Sequence, residues 1–278
     1  MPSQNYAAAH LKELDERYFV KAKTGLIINK GMRLEFNGRN SVTIYNVDVV
    51  AETDYIRSGA NRFGPLVELG TGTQTFVLSQ DKAFTYTIDR GNYSDSMMVT
   101  EAASTVKRQV REVSVPTTDI YRLATLSAYA IANTQGATAA ITNLLAYQQF
   151  IAQKAAMVDL LIDPTNIVVF MSQANYNLLR RDPEFKVASD ESYRDVKTGV
   201  VSQIDGMKIV VVPASYLPAN SGFLFVADDV LVAPTKFDMV RTLDEVQGVD
   251  GWVVEGRRYY DAFIPANRGK AIRYHKIA

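Results

Sequence analysis

The chain has 278 residues, 47% of them apolar, which is enough to bury a sizeable core. Its 30 Lys+Arg balance 30 Asp+Glu, so there is neither an overall basic field for nucleic acid nor the acidic excess of a disordered chain, and the absence of cysteine excludes disulfides, thiolate metal sites and cysteine nucleophiles. The start lacks the basic and apolar regions of a signal peptide and no apolar run approaches the ~20 residues of a membrane helix, so a soluble, unexported protein is expected.

From Asn5 to Lys23 there is no Gly or Pro, and Leu11, Leu14 and Tyr18 fall at helical spacing among charged residues, which predicts a helix with one narrow apolar stripe. Thr24 to Asn40, with Gly25, Gly31 and Gly38 and little periodicity, reads as an extended arm that needs a neighbour; the alternative is a terminus packed on its own domain. Two strands follow, Val42 to Val50 and Thr75 to Asp89. In the second, Phe84, Tyr86 and Ile88 alternate with Thr85, Thr87 and Asp89, and the two are expected to pair as a ribbon. The connection between them exceeds the ~12 to 15 residues usual for a structureless loop in a compact domain. Its Tyr55, Ile56, Phe63, Leu66, Val67 and Leu69 would be costly to leave in water, so burial against another chain is expected; the alternative is a flexible surface loop whose apolar residues fold back.

Ser94 or Asp95 can cap a long helix, since no Gly or Pro occurs until Pro116. Val99, Val106, Val110 and Val113, with Ala102 and Ala103, form a stripe predicted to pack on a sheet. Pro116 is expected to kink or restart the helix, after which Ile120, Leu123, Ala124, Ser127, Ala128 and Ile131 continue a face to about Asn133. Thr134-Gln135-Gly136 breaks the pattern, and a third helix is predicted from Thr138 to Leu161. Ile167 to Met171 then reads as a buried strand, Gln173 to Arg181 as a short helix, and Asp182 to Asp190 as a polar, mobile loop, an alternation that points to an α/β subdomain. Val200 to Pro213 is a hairpin closed by Asp205-Gly206, which supplies the required positive φ. F-L-F-V at Phe223 to Val226, Gly251 to Pro265 and Lys270 to Ile277 complete the strand-forming segments.

Catalysis finds little support. With only His10 and His275, a Ser-His-Asp triad or a His-based metal site has almost nothing to draw on, and both read as surface or packing residues. Gly70-Thr71-Gly72-Thr73 lacks the Lys-Ser or Lys-Thr of a phosphate cradle and reads as a loop. Asp159, Asp163, Asp228 and Asp229 sit among turn or helix-end signals, where solvation or capping is their usual role. Lys107, Arg108 and Arg111 read as a solvated helix face between Glu101 and Glu112. No enzyme, cofactor or metal is expected.

Three stretches carry a resemblance: D-Y-I-R-S-G-A-N-R-F-G at Asp54 to Gly64, T-I-D-R-G-N-Y-S-D at Thr87 to Asp95, and W-V-V-E-G-R-R-Y-Y-D-A-F-I at Trp252 to Ile264. Together with the element order, they resemble the major capsid proteins of tailed bacteriophages, the Hong Kong 97 fold. The resemblance implies an α+β chain with an N-terminal arm (1–40), an extended E-loop ribbon (41–91), a P domain with a long spine helix (92–136), an α/β A domain (137–235) and a return to the P domain (236–278). It implies self-assembly into hexamers and pentamers of an icosahedral shell around double-stranded DNA, with portal and scaffolding proteins as partners. Contact with the packaged DNA would be weak and non-specific, and there would be no membrane. The chain would assemble in the host bacterial cytoplasm and end in the virion capsid. Tyr55, Ile56 and Phe63 would be apolar anchors and Arg57, Arg62 and Glu68 charged contacts across the E-loop interface. No lysine occurs from Ala51 to Gln80, so the covalent chain-mail of some members is not expected. The chain begins at the arm, so a separate scaffold or prior processing is expected. The alternative is an encapsulin-like compartment, which shares the fold and encloses enzyme cargo.

Overall fold

The computed structural model describes residues 22–31, 35–37, 40–47, 49–59, 61–66, 68, 70–91, 102–188, 200–244 and 246–278. The predicted helix up to residue 21, the caps at Ser94 and Asp95, Val99, His10 and the end of the 182–190 loop lie outside them. Gly31–Ser79 packs as one unit; the described residues up to Lys30, with Gln80–Ala278, form the other.

The larger unit is organised by a six-stranded mixed sheet in the order β5, β12, β9, β6, β8, β7. Its strands are β5 (Gly136–Thr138), β6 (Ile167–Ser172), β7 (Val200–Ile204), β8 (Met207–Val212), β9 (Ser221–Ala227) and β12 (Ile272–Lys276). Every residue of β6 and β9 is buried, as expected for strands covered on both faces. The Asp205-Gly206 turn between β7 and β8 takes φ of +51° and +85°, the left-handed pair a two-residue hairpin requires. On one face lies helix α3 (Ala146–Val158), whose Phe150 ring meets Phe223 and Phe225 at centroid distances of 5.6 and 5.1 Å. On the other lies α2 (Val115–Ala132), which runs against β12.

Helix α3 begins eight residues later than expected. Gly136–Thr138 is drawn into the sheet by parallel pairing with Tyr274–Lys276, and the chain from Thr142 turns before the helix can start. Its first free amide, at Tyr147, donates to the Asp182 carboxylate (3.0 Å). Asp182 also accepts from the Glu184 amide at the start of a short helix, α5 (Pro183–Ala188), which follows α4 (Gln173–Arg181). The expected polar loop from Asp182 is therefore helical through Ala188, with Asp182 and Phe185 buried.

A second, antiparallel sheet joins β10 (Thr235–Asp244), β11 (Gly251–Tyr260) and β4 (Gln80–Asp89). The expected long strand Thr75 to Asp89 divides at Leu78 and Ser79: its second half pairs with β11, with Ile88 opposite Trp252, and not with the preceding ribbon. The side of β4 bearing Phe84, Tyr86 and Ile88 supports helix α1 (Ala102–Gln109), where Ile88, Val106 and Val254 form a core with Val110 and Trp252 against it. Val113, expected in that stripe, is exposed. The tail divides, since β10 and β11 join β4 whereas β12 enters the six-stranded sheet.

Between α1 and α2, Val110–Ser114 forms a π-helical turn in which the Val115 amide donates to the Val110 carbonyl. Pro116 has no amide to donate, and its ring would clash with the carbonyl of Glu112 in a regular α-helix; the wider turn removes that conflict. Beyond it, α2 buries Thr118, Asp119, Arg122, Leu123, Leu126, Ser127 and Ala130. Of the expected face only Leu123 and Ser127 are inside, while Ile120, Ala124, Ala128 and Ile131 face out. The buried polar members hold the segment before Lys30. Asp119 accepts from the Lys23 amide (2.9 Å) and the Thr24 hydroxyl (2.6 Å), and Arg122 donates to the same hydroxyl (3.1 Å). Ile27 enters the main core, and Ile28 bridges to Leu231. This part of the expected arm, Ala22 to Asn29, thus packs on its own chain.

The smaller unit contains β1 (Glu35–Asn37), β2 (Ser41–Val47) and β3 (Thr71–Val77), an antiparallel sheet in that order. The expected ribbon is β2 with β3, from Ser41 opposite Val77 to Val47 opposite Thr71. Thr71-Gly72-Thr73, read as loop, is strand.

His275 is a packing residue, wholly buried on β12 beside the Phe223 ring (5.7 Å) and over Gly222, where a Cβ would approach its Nδ1 to 2.6 Å. Burial holds its pKa below the ordinary value. The folded chain therefore binds fewer protons here than the unfolded one, and stability is lost as pH falls below the unfolded pKa of about 6.5. Thermal unfolding midpoints measured from pH 7.5 to 5 should fall, and His275→Gln should flatten that slope; an unchanged slope would remove His275 as its source.

Candidate assembly surfaces

The loop from Val49 to Gly70 closes on itself through local bonds. The Ile56 amide donates to the Arg62 carbonyl (3.0 Å), and the Thr53 hydroxyl to the Phe63 carbonyl (3.1 Å). Gly59, Asn61 and Gly64 take positive φ, residue types that tolerate it. This turn brings Tyr55 and Phe63 into edge-to-face contact at 5.0 Å between centroids. Yet Phe63 remains 85% exposed and Leu66 fully so, with Tyr55 and Ile56 about half exposed. Of the six residues expected at this interface, Tyr55, Ile56, Arg62 and Phe63 come together, the Arg62 Nε donating to the Gly59 carbonyl (3.3 Å). Arg57 and Glu68 lie exposed elsewhere in the loop.

Val49 and Val50, expected to continue a strand, are exposed because β2 ends at Val47. On the sheet below, the Tyr45 hydroxyl donates to Glu35 (2.9 Å), and that hydrogen bond raises the phenol pKa.

In the larger unit the charged groups serve the fold. Arg257 and Asp81 pair across β11 and β4, holding the Asp81 carboxyl below its usual range. Arg258 joins the second sheet to α2 through the Thr118 hydroxyl (2.7 Å). The Glu112 carboxyl is lowered by Arg108 and then Arg111. Asp163 caps the Pro164–Asn166 turn by accepting from the Thr165 amide (2.8 Å), as expected of it. Asp228, paired with Lys208 at 3.3 Å, is half-buried, and desolvation raises its pKa. Among the described residues no group of three or more His, Cys, Asp or Glu is placed to hold a metal ion, and no helix there is long and apolar enough to cross a membrane.

No protein-family model matches the sequence, and no curated protein does. Solved structures do. The head structure of Helicobacter pylori bacteriophage KHP40 superposes with a TM-score of 0.66 at 10% identity, over 93% of this chain and 90% of that one. A structure from Microbacterium phage Oxtober96 gives 0.65 at 15% identity, over 92% and 91%. The capsid structure of cyanophage P-SCSP1u gives 0.63 at 10%, over 91% and 86%. At such identities the likeness is one of fold, and it runs nearly end to end in both directions. The chain has the α+β Hong Kong 97-type capsid fold.

Proposed function

We propose that this chain is the major capsid protein of a tailed bacteriophage, the repeating subunit of an icosahedral shell that encloses double-stranded DNA. The observation that carries the reading is end-to-end coverage: the chain spans nine-tenths of the KHP40 head protein and of the Oxtober96 chain, so shell subunits account for almost its whole length. The exposed loop supports it, because Tyr55, Ile56, Phe63 and Leu66 present apolar surface that water alone would not favour. Residues 31–79 then act as the E-loop, α1 and α2 as the spine, β4, β10 and β11 as the P-domain sheet, and the six-stranded sheet as the A domain. The subunit works by contact and not by chemistry. Assembly takes place in the bacterial cytoplasm, with portal and scaffolding proteins as partners and only weak contact with DNA, as the zero net charge favours. Many modest contacts suffice when each subunit repeats them around closed symmetry.

Purification of the chain alone and with its neighbouring gene products, followed by mass measurement and negative-stain electron microscopy, tests the proposal. Icosahedral shells or regular capsomers are expected. A persistent monomer in both preparations would overturn it, and small shells filled with protein cargo would replace the phage head by a compartment.

A further inference from the structure

Six non-glycine residues adopt positive φ among those described, and four of them are Asn or Asp, which tolerate it. The other two are Leu161 (φ +61°) and Thr134 (φ +53°). Each follows a helix that closes in the same manner: the Ile162 amide reaches back to the Met157 carbonyl after α3, and the Gln135 amide to the Ala130 carbonyl after α2. This closure favours Gly or Asn at the left-handed position, and a leucine or a β-branched threonine there is strained. Strain of this kind persists where a site requires it.

The two positions differ in shape. Leu161 stands 96% exposed beside Leu160, after an outer α3 face that exposes Ile151 and Val158. The only charged residue of α3, Lys154, is taken up by Asp205 at 3.1 Å. Apart from Gln148, the exposed residues of α3 are apolar, and such a face is normally covered. Thr134, by contrast, rims a pocket of about 310 Å³ lined by Ala130, Ile131, Ala137 and Thr138, with Lys276 at its exposed edge. The Oε1 of Gln135, which also lines it, is buried and has no hydrogen-bond partner among the described residues. The volume is about twice the ~150 Å³ that holds a benzene ring, enough for the Leu160 and Leu161 side chains together. Exposed Asp159 beside these leucines carries the charge opposite to Lys276 at the pocket.

We infer that the occupant of the pocket is a second copy of this chain, with the Asp159–Leu161 turn of one subunit inserted between the end of α2 and β5 of the next. The inference rests on the capsid reading and supplies one of its contacts. Because turn and pocket are different surfaces, each subunit donates to one neighbour and receives from another, the heterologous arrangement that closes rings.

The chain has no cysteine, so introduced pairs report without background. Leu161→Cys and Thr138→Cys chains, mixed and assembled into whatever shell or ring the wild type forms, are oxidised and run on a non-reducing gel. A linked dimer in the mixture, absent from either variant alone, is expected. Asp159→Lys should lower assembly yield about tenfold, the scale of a central contact, and Asp159→Lys combined with Lys276→Asp should restore it. Leu161→Gly should raise the unfolding midpoint of the free subunit while lowering assembly. The inference fails if Leu161→Cys links only to itself, if no mixed dimer forms, or if charge reversal at Asp159 is silent. Wild-type shells would still form in each of those cases, so the capsid reading stands or falls separately.

Discussion

Asp119→Ala is expected to lower the stability of the subunit by about 3–5 kcal/mol, the usual cost of removing one partner from a buried charged network. Asp119, Thr24 and Arg122 are each at most 1% exposed. The carboxylate accepts from the Lys23 amide and from both the amide and the hydroxyl of Thr24, while Arg122 reaches the same hydroxyl. Truncation would leave the Lys23 and Thr24 amides and the Thr24 hydroxyl in the interior without their acceptor. It would also free the segment from Ala22 to Asn29, which the Asp119 bonds and the bridge from Ile28 to Leu231 hold against the sheet. Urea denaturation gives the magnitude and limited proteolysis near Lys23 reports the release. A loss below about 1 kcal/mol would place this network among contacts that merely replace water.

Phe63→Ala should do the reverse, leaving the subunit's unfolding within about 0.5 kcal/mol of wild type while sharply reducing assembly. A ring that is 85% exposed in the subunit has little folding energy to lose. Aromatic anchors at interface centres carry about 2 kcal/mol or more on truncation, roughly thirtyfold per contact, and a shell repeats the loss at every subunit. Light scattering of assembly mixtures gives particle yield. Normal yield from Phe63→Ala and from Arg62→Ala would remove the loop as an interface.

The parts of this structure legible from sequence are those specified by neighbours along the chain. Asp205-Gly206 fixes its hairpin by turn chemistry alone, and the shortness and aromatic content of F-L-F-V after Asn220-Ser221-Gly222 mark it as a buried strand. The apolar content of the loop singles out Tyr55, Ile56 and Phe63, but the way Tyr55 and Phe63 meet depends on positive φ at Gly59, Asn61 and Gly64, which hydropathy does not register. What eluded sequence was choice of partner. Alternation holds from Phe84 to Asp89, and the polar run Ser79 to Lys82 before it marks a break but not which strand comes next, since Ile88 meets Trp252 from far along the chain. Periodicity also misplaced the inner face of α2, because that face includes Thr118, Asp119 and Arg122, whose burial depends on hydrogen bonds that hydropathy does not register. Positive φ at Leu161 and Thr134 was invisible for a related reason, as neither residue type advertises it.

The π-helical turn before Pro116 sets the angular phase of a rod that serves two cores. At about 100° per residue, an unbroken α-helix would put Val110 and Leu126 roughly 160° apart, on nearly opposite sides. One extra residue in the turn takes that to about 60°, so the same rod can lean on the β4–β11 sheet with its first half and on the six-stranded sheet with its second. By the same arithmetic, deleting a single residue between Val110 and Ser114 would leave Leu123, Leu126 and Ala130 at that angle in a regular helix, whereas inserting one would turn them by about 100° away from the strands they cover. Here a local irregularity is the condition for global order, and insertions in those five residues should be among the least tolerated changes in the chain.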